Sequence, residues 1–440
     1  MGDEPFISIA IPAWGSSLYI ADALRTIASV NTRQLEVIVS VDPGSPDRSE
    51  TLEILRRIDS VPFRLIEPSA PLSMAGHYEW CLAHMNGKWV AIMGADDGLL
   101  PWSLSLVRNV LEAEPDADAL MFRRCYYFWP GVEEMYGTTR VAASSNNIFR
   151  SIDGPKAVED ALKGRLEHYD LPQIYTNNFV RSDVINRIRS ESGGQVFHER
   201  NPDVYSGVAV AHYATQIVRC EVPAFWTGTS PSSMGLRQTR AVVGNHFDAM
   251  KSVKSDFVER SNAAGYLVAP DVGDELWLMA RDSAIYVLSA YLRFRSATGM
   301  SGSVRTPRAL RLAFATALGR FDRARFRRGS ARAHPRRNKS LRLLLRRQAS
   351  LNGINWASVL LSAVPVWFSS RARLLLDFAG RRVLLVFGSL RLCSAMGAIR
   401  VSKPDGGNTL AEANDYIQSV HQTLLPAGIA LHKRRRIIRH

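Results

Sequence analysis

The sequence predicts an α/β fold: a mostly parallel sheet with helices on both faces, followed by a basic, mainly α-helical C-terminal region. Three observations predict it. Strand-like and helix-like segments alternate over the first 130 residues. The strand-like segments are nearly continuous apolar runs, the pattern of strands covered on both sides. Charge is split along the chain: residues 301–440 carry 27 Lys and Arg against 5 Asp and Glu, a net +22, and residues 1–300 carry 28 against 36, a net −8.

Taken in order, "FISIAIPAW" and "LEVIVSVD" read as short buried strands, "FRLIEP" as a weaker one, then "KWVAIMGAD" and "ADALMFRRCYYF". Between them "SLYIADALRTIAS", "SPDRSETLEILRRI", "MAGHYEWCLAHM" and "PWSLSLVRNVLEAE" carry helical periodicity; the third places Met74, Tyr78, Cys81 and Leu82 on one face. Repeated β-α units give parallel strands with right-handed crossovers. Ligands of such sheets bind at the carboxyl ends of the strands. Residues 177–214 read as helix, Gly-rich turn, acidic loop and helix, and "IVRCEVPAFWTGTSPSSMG" as a strand entering a Ser/Gly loop. The expected organisation is a catalytic-type α/β domain over 1–240, a helical extension over 241–304 and an Arg-rich helical region over 305–440.

At 440 residues, 46% hydrophobic and 22% charged, the chain is long enough for two or three domains and reads as globular. Its four cysteines are widely spaced and form no CxxC pair, which argues against a disulfide framework or zinc knuckle and fits a reducing compartment. No cationic segment followed by an apolar run opens the chain, so no secretory signal is expected. An acidic body with a strongly basic tail calls for a polyanionic partner of the tail. The apolar "INWASVLLSAVPVWF" is about 15 residues long and holds Pro365, short of the roughly 20 residues of a spanning helix. With the amphipathic Leu/Arg stretch after it, it suits a membrane interface, whereas the Arg-rich stretch lacks the interleaved aromatics of a nucleic-acid surface.

The decisive stretch is "GKWVAIMGADDGLLPWSL", residues 87–104, where Asp96 and Asp97 end the most apolar strand. Carboxylates on a ligand-binding rim suit a hard divalent cation shared with substrate phosphates. Such an ion would neutralise a departing diphosphate. The bland alternative is a polar turn in which Asp97 caps the helix beginning near Pro101.

Four stretches in this order, "SIAIPAWGSSLYIADALRTI", "EVIVSVDPGSPDRSETLEIL", "PLSMAGHYEWCLAHMNGKWVAIMGADDGLLP" and "FVRSDVINRIRSESGGQVFHERNPDVYS", resemble family 2 glycosyltransferases, inverting nucleotide-sugar-dependent enzymes of GT-A fold. The resemblance spans residues 5–235. It implies that Pro12 and Ala13 open the loop that cradles the donor nucleotide. It further implies that Asp42 and Gly44, with Ser45 and Asp47, form the stretch contacting base and ribose, and that Asp96 stands at the diphosphate and metal position with Asp97 beside it. Asp203 of "NPDVYS" would be the catalytic base that takes a proton from the acceptor hydroxyl. The implied cofactor is Mn2+ or Mg2+. The implied partners are a nucleotide-sugar donor, UDP-sugar favoured over GDP- or dTDP-sugar, and a glycan or lipid-linked acceptor, met at the cytoplasmic face of the cell membrane. Pro43, His77, Gly94 and Pro202 depart from the family pattern. No QxxRW-like motif of the processive synthases is present, so a single addition is expected.

Among weaker signals, His198, His212 and above all His246 are candidate extra metal ligands, the Ser/Gly loop 229–235 a candidate phosphate or acceptor contact, and Trp14 and Trp102 candidate sugar-stacking residues. Two rivals are kept: a catalytically degenerate GT-A scaffold that binds sugar nucleotide or glycan, and a nucleotidyltransferase. The second calls for a Gly-rich, basic loop after the first strand, and "PAWGSSLY" has one Gly and no Lys or Arg.

Overall fold

The computed structural model describes residues 6–30, 32–133, 139–144, 148–199, 201–233, 283–299, 311–316, 346, 355–363, 398–402, 409–415 and 432–433. The first half alternates as expected: β1 (Ile7–Ala13), α1 (Ile20–Ala28), β2 (Leu35–Val41), α2 (Arg48–Arg56), β3 (Arg64–Ile66), α3 (Met74–Ala83), β4 (Trp89–Ile92), the two-residue β5 (Gly98–Leu99) and α4 (Ser103–Ala113). Then follow the long β6 (Ala119–Phe128), β7 (Thr139–Ser144), β8 (Ile148–Ile152), α5 (Gly154–Leu162), β9 (Asn178–Arg181), α6 (Ser182–Glu191), α7 (Pro202–Tyr213) and β10 (Ile217–Thr229). Further on lie α8 (Ser283–Ala297), β11 (Ala398–Ser402) and β12 (His432–Lys433).

One sheet runs β3-β2-β1-β4-β9-β6-β10-β8-β12, with β5 on β10 and β7 between β6 and β11. It is parallel over β3-β2-β1-β4 and between β6 and β10. β9 runs antiparallel to both β4 and β6, and β8 antiparallel to β10. The sheet is thus mixed beyond its fourth strand. β9 is only four residues long and was hidden in a segment that reads as helix. Because it is antiparallel to both neighbours, β6 and β10 point the same way as β1, β2 and β4, and all their carboxyl ends share one rim.

The apolar runs have the cause inferred for them. In β4, Val90 and Ile92 join the core beneath α3, α5, α6, α7 and α8, while Trp89, Ala91 and, just after the strand, Met93 join the core beneath α1 and α4. Successive side chains face opposite ways along a strand, so a strand covered on both faces is apolar apart from small hydroxyls that find a partner, as Ser8 and Ser40 do. In α3, Tyr78, Cys81 and Leu82 are buried and the Ser73 hydroxyl caps the helix by accepting the Gly76 amide at 3.0 Å. Asp153 caps α5 through the Lys156 amide, with Pro155 in the first turn.

The described parts of the C-terminal third pack onto this body. Val359 and Ala363, in the helical stretch 356–363, lie in the same core as Phe294 of α8. Leu410 and Ala413 lie in the core on the other face. Among the described residues no helix is long and apolar enough to cross a membrane. Most of the Arg-rich stretch lies outside the described residues.

One carboxylate locks the strand junction. Asp118, buried ahead of β6, accepts the Thr215 amide (2.7 Å) and hydroxyl (2.6 Å) and pairs with Arg181 at 2.7 Å. Burial alone would raise its pKa, but Thr215 and Arg181 outweigh burial and hold it below the usual carboxylate value. A depressed folded pKa means stabilisation that is present above the ordinary carboxylate range and is lost as pH falls through it. Asp118→Ala is expected to cost about 2–3 kcal/mol near neutrality, and chemical denaturation should show the gap from the parent closing toward pH 3.

Candidate active site

The rim is built from the loops after β1, β2 and β4. Asp42 follows β2 and is fully buried. Its two carboxylate oxygens accept the Gly44 amide (2.7 Å) and the Leu72 amide (2.9 Å). Gly44 is closely packed there: a Cβ would lie 3.0 Å from the Pro71 Cβ and 3.1 Å from an Asp42 oxygen, so a larger residue would push on both. Ser45 and Asp47 then sew the β1 loop to the β2 loop. The Gly15 amide donates to the Ser45 hydroxyl (2.9 Å), which donates to Asp47 (2.7 Å), and the Ser17 amide donates to the other Asp47 oxygen (2.7 Å). Burial would raise the Asp47 pKa, and the Ser17 amide and Ser45 hydroxyl outweigh it, so the carboxylate stays ionised well into acid. Pro12 is half-buried and Ala13 fully buried at the end of β1. Asp42 therefore shapes this wall of the cleft from behind, with both oxygens turned to the backbone.

β4 ends in the turn 94–97. Asp97 is only 2% exposed. One of its oxygens accepts the Gly94 amide (3.0 Å) and the Thr176 hydroxyl, the other the Gly228 amide (2.7 Å). Asp97, an expected metal ligand, has three protein donors in the structure and ties β4 to the 171–177 segment and to β10. Burial, then the adjacent Asp96 charge, push the Asp97 carboxyl up to about 7. Gly94 is explained by the same packing. A Cβ there would lie 2.7 Å from an Asp97 oxygen and 2.8 Å from the Tyr175 hydroxyl, so the position of the family's usual first acid is already filled.

Asp96 points toward the end of β10. A single oxygen accepts the hydroxyls of Ser230 and Ser233, each at 2.7 Å, and its backbone carbonyl accepts the Trp129 indole N–H at 3.0 Å. Burial raises its pKa against the pull of the two serines. The Ser/Gly loop after Trp226 thus serves to hold Asp96.

Asp203 lies in the first turn of α7, half-buried, with one oxygen accepting the Val204 amide at 2.8 Å. The Ser206 hydroxyl accepts the Ile174 amide (3.0 Å) and donates to the Asp203 carbonyl (2.9 Å), which fastens the 171–177 segment to the helix start. Tyr78 and Tyr175 stack with centroids 6.0 Å apart. Burial first, then the charges of Asp203, Asp97 and Asp96, raise the Tyr78 pKa far above its ordinary value, and the same three carboxylates act on Tyr175. The pair therefore sits among all three acids. The structure thus places Asp96, Asp97 and Asp203 near one stacked tyrosine pair, whereas Asp42, after β2, is not among the charges that act on it.

The remaining candidates divide. His198 bonds the Gln195 carbonyl (3.2 Å) and lies beside the Tyr205 ring. His212 packs on Phe294 near the far end of α7, nine residues from Asp203, or about 13 Å along the helix. Neither joins the acids; His246 lies outside the described residues. Trp102 is buried and donates to the Pro223 carbonyl at 2.8 Å, a packing role, whereas Trp14 is 39% exposed at the rim. Among the described residues no three His, Cys, Asp or Glu converge as a metal cage. Asp96 with the hydroxyls of Ser230 and Ser233 is a set of hard oxygen donors. That set fits a divalent cation whose other ligands come from a diphosphate and water.

Sequence reasoning missed Tyr78, Tyr175, Thr176 and Gly228 at this site. Tyr78 was read as one of an apolar stripe, and the others carry no local signal.

Residues 8–156 match the model of glycosyl transferase family 2. No curated protein matches the chain. Among solved structures, S. aureus TarS 1-349 in complex with UDP-GlcNAc is similar at 14% identity and a TM-score of 0.41, covering 83% of this chain and 91% of that one. Mannosyltransferase PcManGT from Pyrobaculum calidifontis in complex with GDP-Man and Mn2+ is similar at 14% identity and a TM-score of 0.35, covering 86% and 88%. Neither likeness bears on the donor or acceptor of this chain. The matched stretch carries the rim loops after β1, β2 and β4, including the turn 94–97, and over that stretch the chain is similar to glycosyl transferase family 2.

Proposed function

We propose that the protein moves a sugar from a nucleoside-diphosphate donor, a UDP-sugar in the first instance, to a hydroxyl of a glycan or lipid-linked acceptor by inverting displacement. The observation that carries this reading is that the charges of Asp203, Asp96 and Asp97 all bear on the stacked Tyr78 and Tyr175 pair. Base and diphosphate sites must lie on opposite sides of one anomeric carbon, and acids grouped about one tyrosine pair suit that requirement. Asp203 accepts the acceptor proton. Asp96 lies at the diphosphate, held by Ser230 and Ser233. Pro12, Ala13 and Gly44, braced by Asp42, Ser45 and Asp47, shape the nucleotide cleft. A bound Mn2+ or Mg2+ would supply charge neutralisation of the leaving diphosphate. The three regions 1–240, 241–304 and 305–440 are proposed as catalytic domain, extension and basic tail, and the net +22 of residues 301–440 supports peripheral contact with the anionic inner face of the cell membrane.

The test is a thermal-shift screen of UDP-, GDP- and dTDP-sugars with and without Mn2+. A ligand of the folded state at about 100 times its Kd stabilises by about 2.7 kcal/mol. A UDP-sugar should raise the melting temperature, more so with Mn2+, and Asp96→Ala should remove the metal-dependent part. No shift with any nucleotide sugar would leave a scaffold that has lost its donor.

A further inference from the structure

On the face of the sheet opposite α7, residues 409–415 occupy a groove between α1 and β10. Leu410, Ala413 and Asn414 are buried. Thr409 and Glu412 form a reciprocal cap, the Glu412 amide on the Thr409 hydroxyl (3.2 Å) and the Thr409 amide on the Glu412 carboxylate (3.3 Å). So short a helical segment is marginal by itself and owes its form to what it packs on.

What it packs on is the support of the acidic turn. The Asn414 carbonyl oxygen accepts the Trp226 indole N–H at 3.0 Å, and its amide nitrogen donates to the Ser29 hydroxyl at 2.8 Å. Trp226 is paired across strands with Gly98, the residue after Asp97. Two residues further along β10, Gly228 donates its amide to Asp97, and beyond it Ser230 donates its hydroxyl to Asp96. Gly98 itself is wedged: a Cβ would lie 2.6 Å from the Thr26 hydroxyl and 2.9 Å from a Leu410 methyl. Leu410 and Asn414 therefore press on both strands that hold the two carboxylates.

We propose that residues 409–415 are part of the donor site, with Asn414 a positioning residue that fixes the Asp96–Asp97 turn through Trp226. This rests on the reading of that turn as the diphosphate site. A segment far downstream of β10 thus packs against the strands that carry the acidic turn. A buried amide using both ends has no substitute partner when it is removed, and the Trp226 donor is left without its acceptor.

The test compares full-length Asn414→Ala with Val359→Ala, which empties a buried position in the core on the other face. Hydrogen–deuterium exchange is followed in peptides covering 94–99 and 224–230, and UDP affinity by calorimetry with Mn2+. Asn414→Ala should speed exchange in both peptides about tenfold and weaken UDP about tenfold, while Val359→Ala, even at an equal loss of Tm, changes neither. Asn414→Asp, which keeps an acceptor for Trp226, should restore the affinity. Should the alanine variant fail to fold, Ser29→Ala removes the other bond and should show the same exchange pattern on a smaller scale. Exchange confined to 409–415, or equal effects of Asn414→Ala and Val359→Ala, overturns the proposal. If the parent itself binds no UDP, the donor reading fails, and the exchange pattern alone decides whether the segment fixes the turn.

Discussion

Asp203→Asn lowers the rate of sugar transfer about 10²–10⁴-fold while leaving donor KM and melting temperature near the parent values; base catalysis supplies effects of that size. The substitution is nearly isosteric, and the asparagine oxygen can still accept the Val204 amide that Asp203 accepts at 2.8 Å, so the start of α7 keeps its hydrogen bond. What disappears is the charge and the ability to take a proton. A fall in kcat and kcat/KM together, at constant KM, marks an interaction made only in the transition state. Steady-state kinetics beside a thermal melt decides it. An Asp203→Asn enzyme with more than half the parent turnover would remove Asp203 from the chemistry.

The βα alternation was legible because each strand is covered on both faces and leaves an unbroken apolar run. The rim acids were legible because they end such runs. What escaped depends on partners far away in sequence. Asp97 looks like a free acid beside Asp96 until Thr176 and Gly228, 79 and 131 residues on, are placed against it. Gly94 looks like a lost ligand until Tyr175 is seen in its space. β9 escaped because four residues leading straight into α6 carry too short a period-2 signal to separate from the helix that follows. The segment 409–415 has no strong apolar stripe of its own, and its meaning lies in Trp226 and Ser29. Antiparallel insertion of one short strand, and a tail that folds back, are decisions of tertiary packing that local pattern does not record.

Gly228→Ala is the substitution with the largest expected structural effect in the pocket. A Cβ at this position would lie 1.7 Å from the Asp96 carbonyl oxygen and 2.5 Å from its carbon, with the Trp129 indole nitrogen 3.1 Å away. These are mostly backbone atoms, so no side-chain rotation makes room, and β10 and the acidic turn must separate by more than about 1 Å to reach ordinary contact distance. The Trp129 bond to the Asp96 carbonyl and the Gly228 amide bond to Asp97 run through the gap that would open, so separation breaks both. Asp97 then keeps Gly94 and Thr176 but loses its third donor while still buried, at a cost of about 1–3 kcal/mol. Asp96 shifts relative to Asp203, and a displacement of about 1 Å between reacting groups is enough to cost about 10²-fold in rate. The expected result is a lower melting temperature together with transfer activity at least about 10²-fold below the parent and weaker UDP binding. Asp203→Asn, by contrast, loses activity alone. The two variants thus separate the group proposed to accept the proton from the glycine that lets β10 approach the acids, and a Gly228→Ala protein with parental melting temperature and turnover would overturn the close contact between β10 and the turn.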